Sequence, residues 1–185
     1  MRPLITLRHL IERYVDRATS KCQDYHHLPR EMREWYPVGC SNVVLNITQD
    51  KYKHLTVSAL VSSLASTTKT KCYTLIGDAF SDNSKNFWPE TIDEMFRTRI
   101  GIDKVWQKLS RENALQVALG TTVPATVEQI ARRRLSELLD RRNDIIHRGK
   151  TYYAPSETEV RECALFFKAL VMNLSEIMEN QCAAL

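Results

Sequence analysis

Glycine and proline are scarce, with five and six in 185 residues. Sheet-rich folds with many tight turns use more of both, so the shortage points to helices. Cysteine occurs five times, at Cys22, Cys40, Cys72, Cys163 and Cys182, an odd count at wide spacing with no C-x-x-C. That pattern argues against a disulfide framework or a zinc finger and for reduced thiols in a cytosolic protein. Cys22 with His26 and His27 has no second half of a metal site elsewhere in the chain. No apolar run approaches the roughly 18 residues of a membrane span. Met1-Arg2-Pro3-Leu4-Ile5-Thr6 is not an apolar stretch followed by a small-residue cleavage site, so a cytoplasmic location is expected. Charge of one sign is lacking too: 26 Lys plus Arg against 22 Asp plus Glu leave a net +4. This excludes a polybasic coat but neither RNA nor protein partners.

What is present is the composition of a folded chain, 43% hydrophobic and 26% charged, with room for a single domain over residues 1–185. Apolar residues at helical spacing predict a helix from Ile5 to about Ala18. A second, short helix opens at Leu28-Pro29-Arg30-Glu31 and is stopped by Pro37. Residues 38–76 read as an irregular or short-strand insertion, with 42–48 strand-like by composition and 55–64 a diluted helix. Residues 77–86 read as a small, polar surface loop. Helices follow from Pro89 and, after the break at Gly101, through Ile102, Val105, Trp106 and Leu109.

The last two helices are the best marked. Thr126 with Gln129 forms a capping-box pattern ahead of an apolar stripe at Val127, Ala131, Leu135, Leu138, Leu139, Ile145 and Ile146. Ser156 with Glu159 repeats it ahead of Val160, Cys163, Ala164, Phe167, Leu170, Val171, Leu174, Ile177 and Met178. The expected fold is all-α, with helices 127–148 and 157–180 packed antiparallel in a bundle.

The residues with chemistry gather where the first of these helices ends: Asp140-Arg141-Arg142-Asn143-Asp144-Ile145-Ile146-His147-Arg148-Gly149-Lys150. At about 100° per residue Arg142 falls within the apolar stripe, a costly place for a guanidinium unless it is paired or faces a cleft. Asn143 and His147, four apart, share a neighbouring face. A structural reading stands beside the functional one. In it Arg142 pairs with Asp140 or Asp144, and His147 is a cation favoured by the helix C-terminus. The run Arg132-Arg133-Arg134 is either a solvated face or an RNA-backbone contact. His9, His54 and the scattered carboxylates show no metal-ligand spacing.

The run Arg142-Asn143-Asp144-Ile145-Ile146-His147-Arg148-Gly149 resembles the R-x-x-x-x-H signature of HEPN domains. The segments 28–33, Asn86-Phe87-Trp88-Pro89, Ile100-Gly101-Ile102 and Val105-Trp106 resemble the layout of the RiboL-PSP type and similar HEPN families of bacterial conflict systems. The resemblance implies a HEPN-like helical bundle that dimerises and cleaves RNA without metal or other cofactor, with one composite site made by two facing motifs. On this sequence it would make His147 the acid or base at the ribose 2′-hydroxyl. Arg142 would stabilise the scissile phosphate, and Asn143 would orient one or the other. Arg141, Arg148 and Lys150 would hold flanking phosphates, and Tyr152 would stack a base. Such a protein acts as the toxin or effector of an antiviral or toxin–antitoxin system, with an antitoxin or another defence protein as partner. The alternative is a non-catalytic dimerisation module that binds nucleotide or protein. Toxin members with His-x-Tyr are regulated at that tyrosine. Here Arg148-Gly149 follows His147, so that control does not carry over.

Overall fold

The computed structural model describes residues 3–69, 72–82, 86–148 and 155–185, and the side chains of all these except 3–6, 147 and 148. Among the described residues the regular structure is helical throughout, without strands: α1 Pro3–Lys21, α2 Arg30–Leu45, α3 Val57–Ser66, α4 Asp78–Ser81, α5 Pro89–Arg99, α6 Val105–Leu109, α7 Asn113–Leu119, α8 Pro124–Arg148 and α9 Glu157–Ala183. None of them is long and apolar enough to cross a membrane. The chain forms two compact units, one of Met1–Ser84, Glu94–Asp103 and Met178–Leu185, the other of Lys85–Asp93 and Lys104–Ile177.

In the first unit α1 buries Leu7, Leu10, Ile11, Tyr14, Val15 and Ala18, three or four residues apart, as an amphipathic helix must. The expected stop at Pro37 does not occur, because α2 runs through it to Leu45. A proline cannot donate to the carbonyl four residues back, which leaves Arg33 O without its helical partner. The Tyr25 hydroxyl donates to that oxygen at 3.0 Å, and Pro37 itself faces outward. The strand-like segment 42–48 is the end of α2 and the turn after it. Val43, fully buried on the same face as Met32, Tyr36 and Cys40, gains more from that face than β-branching costs it. The remainder of 38–76 is a 3₁₀ turn at Asp50–Tyr52, helix α3 capped by the Thr56 hydroxyl, and an irregular stretch from residue 72.

Within the expected surface loop at 77–86, residues 78–81 are instead interior, and 83–85 lie outside the described residues. Helix α4 buries Asp78, Ala79, Phe80 and Ser81, and Phe80 stacks on Tyr36 at 5.5 Å. Its polarity reflects buried pairing. Asp78 takes Arg8 and His54, the latter at 3.2 Å, and Ser81 donates to Glu12 at 3.0 Å. The close approach of α2 and α4 requires Gly39, where a Cβ would sit 2.1 Å from Ala79 O.

In the second unit Trp106 is buried and its indole N–H donates to Pro89 O at 3.0 Å. Helix α8 starts at Pro124, three residues earlier than the capping pattern suggests, with proline at its favoured first position. The cap of α9 is as expected: the Ser156 backbone N–H and hydroxyl donate to Glu159 Oε2 at 2.8 and 2.9 Å, and Glu159 N–H donates back to the hydroxyl at 3.2 Å. Arg134 pairs with Glu162 at 3.3 Å and lies over the Phe166 ring, while Arg141, later in α8, lies near Glu159, earlier in α9, so the two helices run antiparallel. The triplet divides accordingly. Arg132 is held by Asp93 and Glu128 and Arg134 by Glu162, while Arg133 is exposed beside Glu137.

Both apolar stripes are shorter than the sequence suggests. The buried face of α8 is Val127, Ala131, Leu135 and Leu139, and beyond it Ile145 and Ile146 are 51% and 56% exposed. The buried face of α9 is Phe166, Ala169, Leu170, Leu174, Ile177 and Met178, whereas Val160 is 53% exposed and Ala164 is also open. The two helices therefore leave apolar side chains uncovered near the junction between them.

Candidate functional site

The end of α8 brings three polar side chains together. Arg142 Nη1 donates to Asn86 Oδ1 at 3.1 Å and to Asn143 Oδ1 at 3.4 Å, and Asn86 Nδ2 donates to Asn143 Oδ1 at 2.9 Å. Adjacent helix positions point about 100° apart and do not normally meet. Asn86, reaching in from the segment ahead of α5, joins them.

Arg142 is exposed rather than embedded in the apolar stripe, because the buried face of α8 steps by four from Val127 to Leu139 and continues at the half-buried Asn143. Its hydrogen bonds among the described residues go to amide oxygens. A carboxylate partner would cancel the guanidinium charge, whereas two neutral oxygens hold the group and leave its charge intact. Both bonds come from Nη1, so neither uses the Nε–Nη2 edge, whose two N–H groups match two oxygens of a phosphate. The arrangement is an oriented cation suited to an anion.

Arg141 is exposed on the α9 side of the helix. With Arg134, Glu137, Leu138, Glu159, Glu162 and Cys163 it lines a cleft of about 150 Å³ between α8 and α9. Glu159 in this cleft is held below the usual carboxylate range, first by the two hydrogen bonds from Ser156 and then by the nearby Arg141. Position 147 lies one turn beyond Asn143 at the end of α8, and position 148 closes the helix. The side chains of His147 and Arg148 lie outside the described residues, as do Lys150 and Tyr152 entirely. Among the described residues no group of three or more His, Cys, Asp or Glu side chains is placed to hold a metal ion.

The sequence reading groups Arg142 with Asn143 but misses that a third residue joins them. Asn86 is 56 positions from Arg142 and carries no spacing signal of its own. Its mark in the sequence is its place in the segment Asn86-Phe87-Trp88-Pro89, which resembles the family layout and leads into α5.

The model of one family, RiboL-PSP-HEPN, matches residues 7–180. No curated protein and no solved structure matches the chain.

Proposed function

The chain belongs to the RiboL-PSP-HEPN family, and from that membership we propose that it is a metal-independent endoribonuclease of the cytoplasm, the toxin or effector of an antiviral or toxin–antitoxin system. The match runs over 7–180 and so takes in residues of both compact units, which supports treating 1–185 as one HEPN-like domain. HEPN domains are commonly ribonucleases, and the observation that carries the reading here is the amide-held Arg142. Its Nε–Nη2 edge takes two oxygens of the scissile phosphate and stabilises the charge that builds up as the 2′-hydroxyl attacks. His147 moves the proton, since imidazole titrates near neutral pH. Asn143 orients the pair, Arg141, Arg148 and Lys150 hold flanking phosphates, and Tyr152 stacks a base.

The reading includes a homodimer. Ile145 and Ile146 lie within the motif and are more than half exposed, and a second copy placed there buries them and joins two motifs into one site. An antitoxin or another defence protein is the partner that restrains such an enzyme. The test is cleavage of total and transfer RNA by the purified chain in EDTA. Products ending in a 2′,3′-cyclic phosphate are expected, and a substrate with deoxyribose at the cleaved position is inert. If RNA survives intact while the protein still dimerises, the non-catalytic module is the correct reading. If EDTA alone abolishes cleavage, the enzyme is a metal nuclease.

A further inference from the structure

Resting on the ribonuclease reading, we propose that Asn86 is a positioning residue of this site, an amide clamp that sets Arg142 and Asn143 so that the Nε–Nη2 edge of the guanidinium meets the scissile phosphate. Asn86 uses both ends of its side chain: Oδ1 accepts from Arg142 at 3.1 Å and Nδ2 donates to Asn143 at 2.9 Å. The arginine donor fixes which way the Asn86 amide is turned, and Asn86 in turn fixes Asn143, whose oxygen receives two N–H groups. The amide nitrogen of Asn143 is thereby directed to other partners.

The segment carrying Asn86 is itself anchored. Trp88 N–H donates to Asn86 O at 2.9 Å, Ile92 N–H donates to Trp88 O at 2.9 Å, and the buried Pro89 accepts the Trp106 indole N–H. An amide presented from such a support can hold a long, flexible arginine in one geometry. The residue type matters as much as the place. An aspartate of the same size would bind Arg142 more tightly but would cancel the charge that the phosphate needs, and it would have no hydrogen to give Asn143.

The test is a double-mutant cycle on Asn86 and Arg142 with two readouts. One is single-turnover cleavage of a short mixed-sequence RNA, and the other is affinity for its 2′-O-methyl analogue, which binds but cannot be cut. Asn86→Ala should slow cleavage by roughly 10²-fold, the scale of a misplaced catalytic group. In that background Arg142→Ala should cost less than about threefold more, because the arginine is already out of place. Asn86→Asp should keep the wild-type melting temperature yet cut RNA at least as poorly as Asn86→Ala, a combination that a merely structural residue would not give. If Asn86→Ala does not fold, the cycle is run with Asn86→Asp.

Equal losses from Arg142→Ala with and without the Asn86 change would overturn the clamp, and so would wild-type cleavage by Asn86→Asp. If the wild-type protein leaves RNA intact, the ribonuclease reading fails, and the clamp is judged on affinity alone. There, coupled losses between the two positions support it and independent losses refute it.

Discussion

On the proposed reading, replacing Arg142 should separate catalysis from folding, because its bonds in the structure are few and exposed. The side chain is exposed and, among the described residues, makes two hydrogen bonds, both to neutral amide oxygens. Bonds of this kind contribute about 0.5–1.5 kcal/mol net when buried and less where water can take their place. Arg142→Ala should therefore cost at most about 1 kcal/mol, or about 2–4 °C in melting temperature for a chain of this size. The stabilisation that removal of a buried charge would bring is not expected, because the charge is not buried. Cleavage should fall much further, by roughly 10²–10³-fold, the typical effect of losing one donor to a developing oxyanion. Arg142→Lys should cut nearly as poorly as Arg142→Ala, since an ammonium cannot offer two parallel N–H groups to a phosphate. Thermal melts and single-turnover cleavage on the same preparations measure both quantities. A variant that melts as wild type and cuts at the wild-type rate would refute the argument. So would one whose activity falls only in proportion to its unfolded fraction.

His147→Ala should lower cleavage by roughly 10²–10⁴-fold and Asn143→Ala by clearly less, read from the same time courses. Ile145→Glu with Ile146→Glu, at side chains already half exposed, should leave the melting temperature almost unchanged. The pair should nevertheless convert a dimer to a monomer by light scattering and abolish cleavage; a dimer that still cuts would place the interface elsewhere. Tyr25→Phe removes the donor to Arg33 O and should destabilise the chain by about 1 kcal/mol. In a Pro37→Ala background, where residue 37 supplies the missing N–H, the same change should cost little, and equal costs in denaturant melts would disprove the compensation. Glu159 has a lowered folded pKa because Ser156 and Arg141 favour its charged form, so its contribution is complete above its unfolded value of about 4.5 and is lost as pH falls through the folded value. The difference in melting temperature between wild type and Glu159→Gln should then shrink as the solution is acidified from neutrality, and a constant difference would refute the assignment.

The long helices α8 and α9 were legible from their apolar spacing, and α9 also from a cap that is local. Ser156 and Glu159 are three residues apart and recognise each other with no help from the rest of the chain. The errors in the first half came where a distant residue changes the meaning of a local signal. Pro37 reads as a helix stop until Tyr25, twelve residues earlier in the sequence, is seen to cap the orphaned carbonyl. Asp78 and Ser81 read as loop residues until Arg8, Glu12 and His54 are brought to them. Periodicity has a related limit, in that it marks a face as apolar without saying what covers it. The stripe of α8 reads as continuous to Ile146, yet this chain covers it only to Leu139.

That last difference bears on the site itself. A stripe buried along its whole length would have enclosed Arg142 and forced it into a structural ion pair. With the burial ending at Leu139, the same arginine stands in the open and needs some other restraint if it is to keep one geometry. The restraint comes from Asn86, a neutral amide on a separate, anchored segment. It fixes the guanidinium without cancelling its charge and without using the edge a phosphate would take. A motif of six residues specifies which groups are available. On the proposed reading, their readiness to act depends on a residue 56 positions away that the motif does not contain.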